Sequence, residues 1–262
     1  MRCILIAMFT IVIAVSAPAD EWDGYERLTR EQVLKVVAAA ATEAPDLYAK
    51  NLSGLDLAGV DFKRANLSAA VLNDANLAGA HLDGCRLNVS FLQRANLAGA
   101  TLRGTTLFSV QGQASNLRDA DFSGARLIGD FQDADLSNAN LTRVNAAADM
   151  KNQSMGLMRT SIVSATAVNA DLSGSDFSRA NMSFTDFSHA KLIGTKLYRA
   201  ELSGARLEGA DLRGADLREA VLIDVDLTRA NLENADFTGA NLRGVRGLET
   251  AKRDGARGLS GP

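Results

Sequence analysis

Over most of this chain every fifth residue is large and apolar. From Leu52 the series runs through Leu57, Phe62, Leu67 and Leu72 to Leu107, skips at Gly112, and resumes with Leu117, Phe122 and Leu127. A second run in the same register leads from Leu157 and Ile162 through the small Ala167 to Leu172 and on to Leu242. Two positions earlier the residue is usually small, most often Ala (Ala65, Ala75, Ala95), and one position earlier it is often Asn or Asp. The unit is A-(N/D)-L-x-x. A period of five fits neither the 3.6 of a helix nor the 2.0 of a strand, so a long helix or a flat sheet would scatter these leucines over every face. The chain therefore has to turn every five residues.

If each unit makes one short extended side and one corner, the large residue and the small one before it both point inward while the residue between them points out. Gly in the last place of many units (Gly54, Gly59, Gly79, Gly204) suits a tight corner. Stacked turns then satisfy one another's backbone groups. Aromatics make up only 5% of the residues and Ala and Leu dominate the apolar content, which favours a narrow core.

Units such as Ala65-Asn66-Leu67-Ser68, Ala95-Asn96-Leu97 and Ala215-Asp216-Leu217-Arg218 resemble the motif of the pentapeptide-repeat family over about residues 46 to 245. The resemblance implies an all-β solenoid, a right-handed quadrilateral β-helix with four pentapeptides per coil, so that residues twenty apart stack. About ten coils at roughly 4.8 Å would make a rod of about 48 Å.

The segments outside the repeats carry their own signals. Residues 1–19 read as a secretory signal peptide: Arg2, an apolar run from Cys3 to Val15, and small residues Ala17-Pro18-Ala19 that place cleavage after Ala17 or Ala19. As a helix the apolar run would span about 20 Å, short of the roughly 30 Å of a bilayer core. The expected product is periplasmic or secreted, with no membrane span after processing. Only Cys85 would remain in it, so no internal disulfide is expected. Residues 20–45 are expected to form an N-terminal capping helix, with a Thr29/Gln32 capping box, a stripe of Val33, Val36, Val37 and Ala40, and Pro45 as terminator. Residues 246–262, rich in Gly and charge, are expected to be a flexible tail without a cap. Between 128 and 157 the register slips, with Phe131, Leu136 and Leu141 displaced by one; because Leu127 and Leu157 are a multiple of five apart, one omission balanced by one addition is expected, with no long loop. At Gly112 the missing core volume is assigned to Val110.

Functionally, the sequence points to a surface. The two histidines, His81 and His189, fall at outward or corner places without metal-ligand spacing, and the recurring Ser and Asp belong to the repeat, so no catalytic, metal or cofactor residues are assigned. The formal charge of −3 gives no basic footprint for nucleic acid. On the family's twenty-residue stack, Val71 and Phe91 lie just before a central Leu, and Phe108 and Ile128 just after one on the adjoining side. These four form the candidate partner-binding patch. The reading is an exported, non-enzymatic structural or interaction module whose partner is another protein. The resemblance adds pairing of two copies through the C-terminal coils. It also supplies the alternative of a DNA-mimicking gyrase inhibitor or protector, which export and the near-neutral charge oppose.

Overall fold

The structure, a computed structural model, describes residues 22–40, 43–150 and 158–259; the signal-peptide segment and Leu157 lie outside them. From Asp46 onward the chain is a parallel β-solenoid. Bridges pair Asp46 with Asn66, Asn51 with Val71, Asp56 with Asn76 and Asp61 with His81, one rung on each of four sides before the pattern repeats. Side 1 is led by Leu47, Leu67 and Leu87, side 2 by Leu52, Leu72 and Leu92, side 3 by Leu57, Leu77 and Leu97, and side 4 by Phe62, Leu82 and Leu102. These leucines and Phe62 are at most 1% exposed and belong to one continuous apolar column.

Each place in the pentapeptide has a physical reason. The central residue donates its N–H up the stack, as Leu52 does to the Val71 carbonyl at 2.7 Å, and each corner is closed by a turn bond such as Leu55 N–H to the Leu52 carbonyl at 3.2 Å. The corner residue takes a positive φ, +68° at Gly54 and +59° at Asp74, the region that explains the Gly, Asp and Asn found there. The Asn or Asp before the central residue closes a second turn. Its Oδ1 accepts the N–H two residues on, at 3.2 Å for Asn76 and Ala78 and 2.9 Å for Asp61 and Lys63. That N–H has no role in the ladder, so the short polar side chain supplies the acceptor that the donor requires. Ser and Thr in the small inward place are buried with their hydroxyls bonded to carbonyls, as Thr105 is to Leu102 at 2.7 Å.

At the N-terminal end, β1 (Glu26–Arg27) pairs in parallel with β2 (Lys50–Asn51), extending side 2 by one rung. Helix α1 (Arg30–Ala39) follows, with Thr29 and Gln32 in a reciprocal capping box and Val33 and Val37 buried. It is shorter than the expected 20–45, since residues 22–29 form a turn and β1, and it ends at the Ala40 C-cap, ahead of Pro45. Together they cover the apolar end and the strand edge that an open solenoid leaves exposed.

The interruption in the middle differs from expectation. Strands β3 (Thr106–Gln111) and β4 (Arg126–Asp130) pair with a bulge at Phe108/Val110, where Val110 faces Gly129. One residue is missing here, and stacked residues are then nineteen apart, as for Asn140 on Asp121. In the next coil they are thirty-one apart, as for Asn169 on Asn138. The addition is thus eleven residues beyond a coil's twenty, not one. The extra length leaves the stack after Ala148 and rejoins it at Thr160, closed at its base by an antiparallel bridge in which Asp149 N–H bonds the Met158 carbonyl at 2.9 Å. The multiple-of-five spacing could not reveal it, because an insertion of two units plus one residue restores the register as well as a single residue does. Thr160 seals the junction, its hydroxyl reaching the carbonyls of Leu127 at 2.7 Å and Ala146 at 3.0 Å.

Two further expectations are corrected. At Gly112 the space is taken by Phe131 of the next coil, whose ring carbons lie 2.6 Å from where a Cβ on Gly112 would stand; Val110 keeps the ordinary small inward place. And the expected tail is part of the stack up to Arg257: Arg246 bridges Asp226, Lys252 bridges Asn231 and Arg257 bridges Asp236. One added residue in the turn at 248–250 shifts the register, which hides the last two of these rungs from a strict five-residue count.

Candidate functional site

The four residues of the expected patch do not form one exposed surface. Val71 and Ile128 are buried, at 0% and 1% exposure, and Phe91 and Phe108 are half-buried. Phe91 is covered by a residue from outside the repeats: the Trp22 ring packs on it at 4.5 Å between centroids, and Tyr25 meets Trp22 edge-on at 5.7 Å. The N-terminal segment therefore straps down side 2. Ile128 borders a hollow of about 220 Å³ shared with Met158 and Arg159 at the base of the insertion.

Residue composition nevertheless singles out one side. Side 2's outward rungs run Asn51, Val71, Phe91, Gln111, Asp130, Ser161, Asn181, Glu201, Val221 and Asn241. The residues just past its central positions are Ser53, Asn73, Gln93, Gln113, Gln132, Val163, Ser183, Ser203, Ile223 and Arg243. Only Asp130, Glu201 and Arg243 are charged. Asp130 accepts from Gln113 Nε2 at 2.9 Å, and Glu201 is paired with Arg159 at 2.8 Å. Side 4, opposite, carries Asp61, Lys63, Asp83, Arg103, Asp121, Asp171, Lys191, Asp211, Arg213 and more in the same places. Depletion of charge with retention of aromatic and aliphatic residues is the composition of an interface centre.

The corners flanking side 2 are also unusual. Among the described residues with positive φ, the large apolar ones are Val89 (+59°) and Phe184 (+60°), and both border this side. Both are exposed, Val89 at 51% and Phe184 at 65%. A left-handed backbone disfavours branched or bulky side chains, so sequence reasoning missed them where the signal was strongest: an apolar residue in the Gly/Asn/Asp place. Phe91 carries a comparable cost, since it displaces the Asn or Asp that would accept the Gln93 N–H. Asn73 of the preceding coil accepts it instead, at 3.0 Å.

Elsewhere charges of opposite sign are laid together. Lys191 pairs with Asp171 at 3.7 Å, Lys196 with Asp176 at 3.5 Å, Arg206 with Asp186 at 3.3 Å, Arg213 with Asp211 and Arg218 with Asp216 at 2.7 Å, and Arg229 with Glu208. The guanidinium bonds hold the Asp211 and Asp216 carboxyls below the usual range. Being exposed, such pairs add little stability each. Cys85 is fully buried, and burial pushes its thiol up to about 12. His81 lies exposed on side 4, 3.4 Å from Thr101, and His189 occupies a corner, its ring over Gly209. Among the described residues no group of His, Cys, Asp and Glu is arranged to hold a metal ion.

This solenoid and its repeat define a class of protein, and the pentapeptide-repeat family model matches eight copies across residues 51–88, 90–129, 113–147, 159–192, 168–204 and 205–244. The chain belongs to the pentapeptide-repeat family. Among solved structures it is similar to HetL, a pentapeptide-repeat protein involved in heterocyst differentiation regulation from the cyanobacterium Nostoc sp. strain PCC 7120. The two share 26% identity over 87% of this chain and 96% of that one, with a TM-score of 0.50. It is also similar to QnrB1, a plasmid-mediated fluoroquinolone resistance protein, at 19% identity over 81% of this chain and 88% of that one, with a TM-score of 0.42. No curated protein matches the chain.

Proposed function

We propose that this protein is an exported, non-enzymatic interaction module that presents a rigid rod to a protein partner. The observation that carries the reading is the low-charge side 2, whose exposed apolar residues occupy places the repeat reserves for polar ones. Export rests on residues 1–19, whose charged start, apolar run and Ala17-Pro18-Ala19 site have the form of a cleaved leader. The interior supports a role without catalysis, since a column of leucine and alanine at 0–3% exposure has no room for a substrate.

The C-terminal end supports pairing of two copies. There Leu242, Val245, Leu248 and Leu259 are only partly buried, and among the described residues no helix covers them as α1 covers the other end. A monomeric mass in solution at micromolar concentration would remove this part of the proposal. A gyrase-directed DNA mimic is less well supported, because the acidic residues that would imitate phosphates are interleaved with Lys and Arg partners.

The test is crosslinking in the native host with a C-terminally tagged protein and fractionation of the same cells. One dominant protein partner in an envelope or secreted fraction is the expected result. A cytoplasmic pool crosslinked to gyrase would overturn both export and the proposed role as an exported interaction module.

A further inference from the structure

The interaction reading leaves open where on the rod the partner sits, and resting on that reading, we infer that it docks on the C-terminal half of side 2 around Phe184. The partner element is an uncharged segment bearing an aromatic side chain. Three independent observations meet there. Phe184 is the most exposed of the large apolar residues in the described structure, and it holds a backbone angle of +60° that a phenylalanine disfavours. Its ring lies over Gly204 of the next coil, where a Cβ would meet ring carbons at 2.5 Å, so the glycine lets the ring rest against the rod. Around it, half-exposed Val163, Val221 and Ile223 line a strip whose other members are Ser and Asn, with its one acid, Glu201, already held by Arg159 and its one base, Arg243, in the last coil.

The chemistry of the occupant is shown at the other end of the same side. There the chain's own Trp22 packs on Phe91 above buried Val71, within a strip of Asn and Gln. The N-terminal half of side 2 is thus an aromatic-on-aromatic contact made by a segment from outside the stack. The C-terminal half continues the same side, with Phe184 at its bordering corner rather than in the rung place of Phe91, and what crosses it among the described residues is the Arg159 side chain on its way to Glu201, not an aromatic strap. A charge set beside Phe184 would lose hydration there with Arg243 three coils away, whereas an aromatic side chain gains burial against Phe184 and its aliphatic neighbours.

The test places the photoreactive residue benzoylphenylalanine singly at Phe184, Val163 and Ile223 on or beside side 2, and at Thr142, Ile193 and Glu233 on side 4, in the full chain in the native host. The crosslinked peptides are then sequenced. Adducts from the first three positions only, mapping to one uncharged partner segment with a Trp, Tyr or Phe, are expected. Adducts from side 4, or a charged partner segment, overturn the inference while leaving the interaction reading intact; no adduct from any position overturns both. A second variant separates binding from folding. Phe184→Asn places a residue suited to the left-handed corner, and should raise the melting temperature by about 2–4 °C while reducing adduct yield from Val163 at least tenfold. A lowered melting temperature with unchanged yield would show Phe184 to be structural only.

Discussion

Restoring the repeat at Gly112 should damage the protein. By the five-residue rule a leucine belongs there, and the neighbouring positions on side 2, Leu92 and Leu72, carry one. Gly112 does not adopt the left-handed backbone of the corner glycines, so its backbone tolerates any side chain. The obstacle is Phe131: a Cβ on residue 112 would stand 2.6 Å from two ring carbons and 3.5 Å from a third, and a leucine would drive three more carbons into the same space. Phe131 is 2% exposed and belongs to the packed apolar column, so its ring is held by neighbours on all sides. Overpacking of this kind costs about 1–3 kcal/mol, which lowers the melting temperature by about 2–4 °C for each kcal/mol in a chain of this size. Phe131→Leu alone destabilises by opening a void beside Gly112. The double variant Gly112→Leu/Phe131→Leu recreates the leucine-on-leucine stack of the other coils, and should be more stable than the sum of the two single changes by about 0.5–3 kcal/mol. Thermal midpoints of the four proteins, followed by circular dichroism, close the cycle. A Gly112→Leu protein as stable as the parent, or additivity within about 0.5 kcal/mol, would refute the reasoning.

Trp22 is the sole tryptophan, so its packing on Phe91 is directly readable: Phe91→Ala should red-shift its emission and increase quenching by iodide, and an unchanged spectrum would mean that the strap is not held there. Cys85, buried with its thiol pushed up to about 12, should react with a maleimide only under unfolding conditions in the processed chain; rapid labelling of the folded protein would contradict its placement. The Asp74, Asp211 and Asp216 carboxyls are held below their ordinary range by Arg94, Arg213 and Arg218, and Asp226 and Asp236 by Thr228 and Thr238. Depressed carboxyls contribute stability that is fully present above the unfolded-state pKa near 4 and is lost as pH falls through the folded values. The melting temperature should accordingly be flat from about pH 5 to 8 and decline below about pH 4, and a maximum at acid pH would reverse the sign of the effect.

The repeat makes the solenoid, its inward leucines and the N-terminal helix legible because each follows from local pattern: a period of five, a capping box, an apolar stripe. What stays hidden depends on contacts between coils or on insertions that preserve the count. The eleven residues added after Ala148 return the chain to the same register, and the single residue added near 248–250 makes the last two rungs look like a tail. Trp22 gives no sequence sign that it crosses two coils to reach Phe91, so a patch that looks open in the sequence is covered in the fold. The substitution of Asn73 for the missing acceptor beside Phe91 likewise exists only in the stack. Val89 and Phe184, by contrast, are within reach of the sequence: each breaks the rule for corner residues, and a rule broken at an exposed position shows more about function than the many positions that obey it.

The most direct test sets two charge insertions against each other in partner recovery from the native host. Val163→Glu with Ile223→Glu loads side 2; Thr142→Glu with Ile193→Glu adds the same charge to side 4. With both proteins folded by circular dichroism, the side 2 variant should lose the partner and the side 4 variant keep it. Loss from the side 4 variant alone, or full recovery by the side 2 variant, would contradict the claim that the low-charge side carries the function.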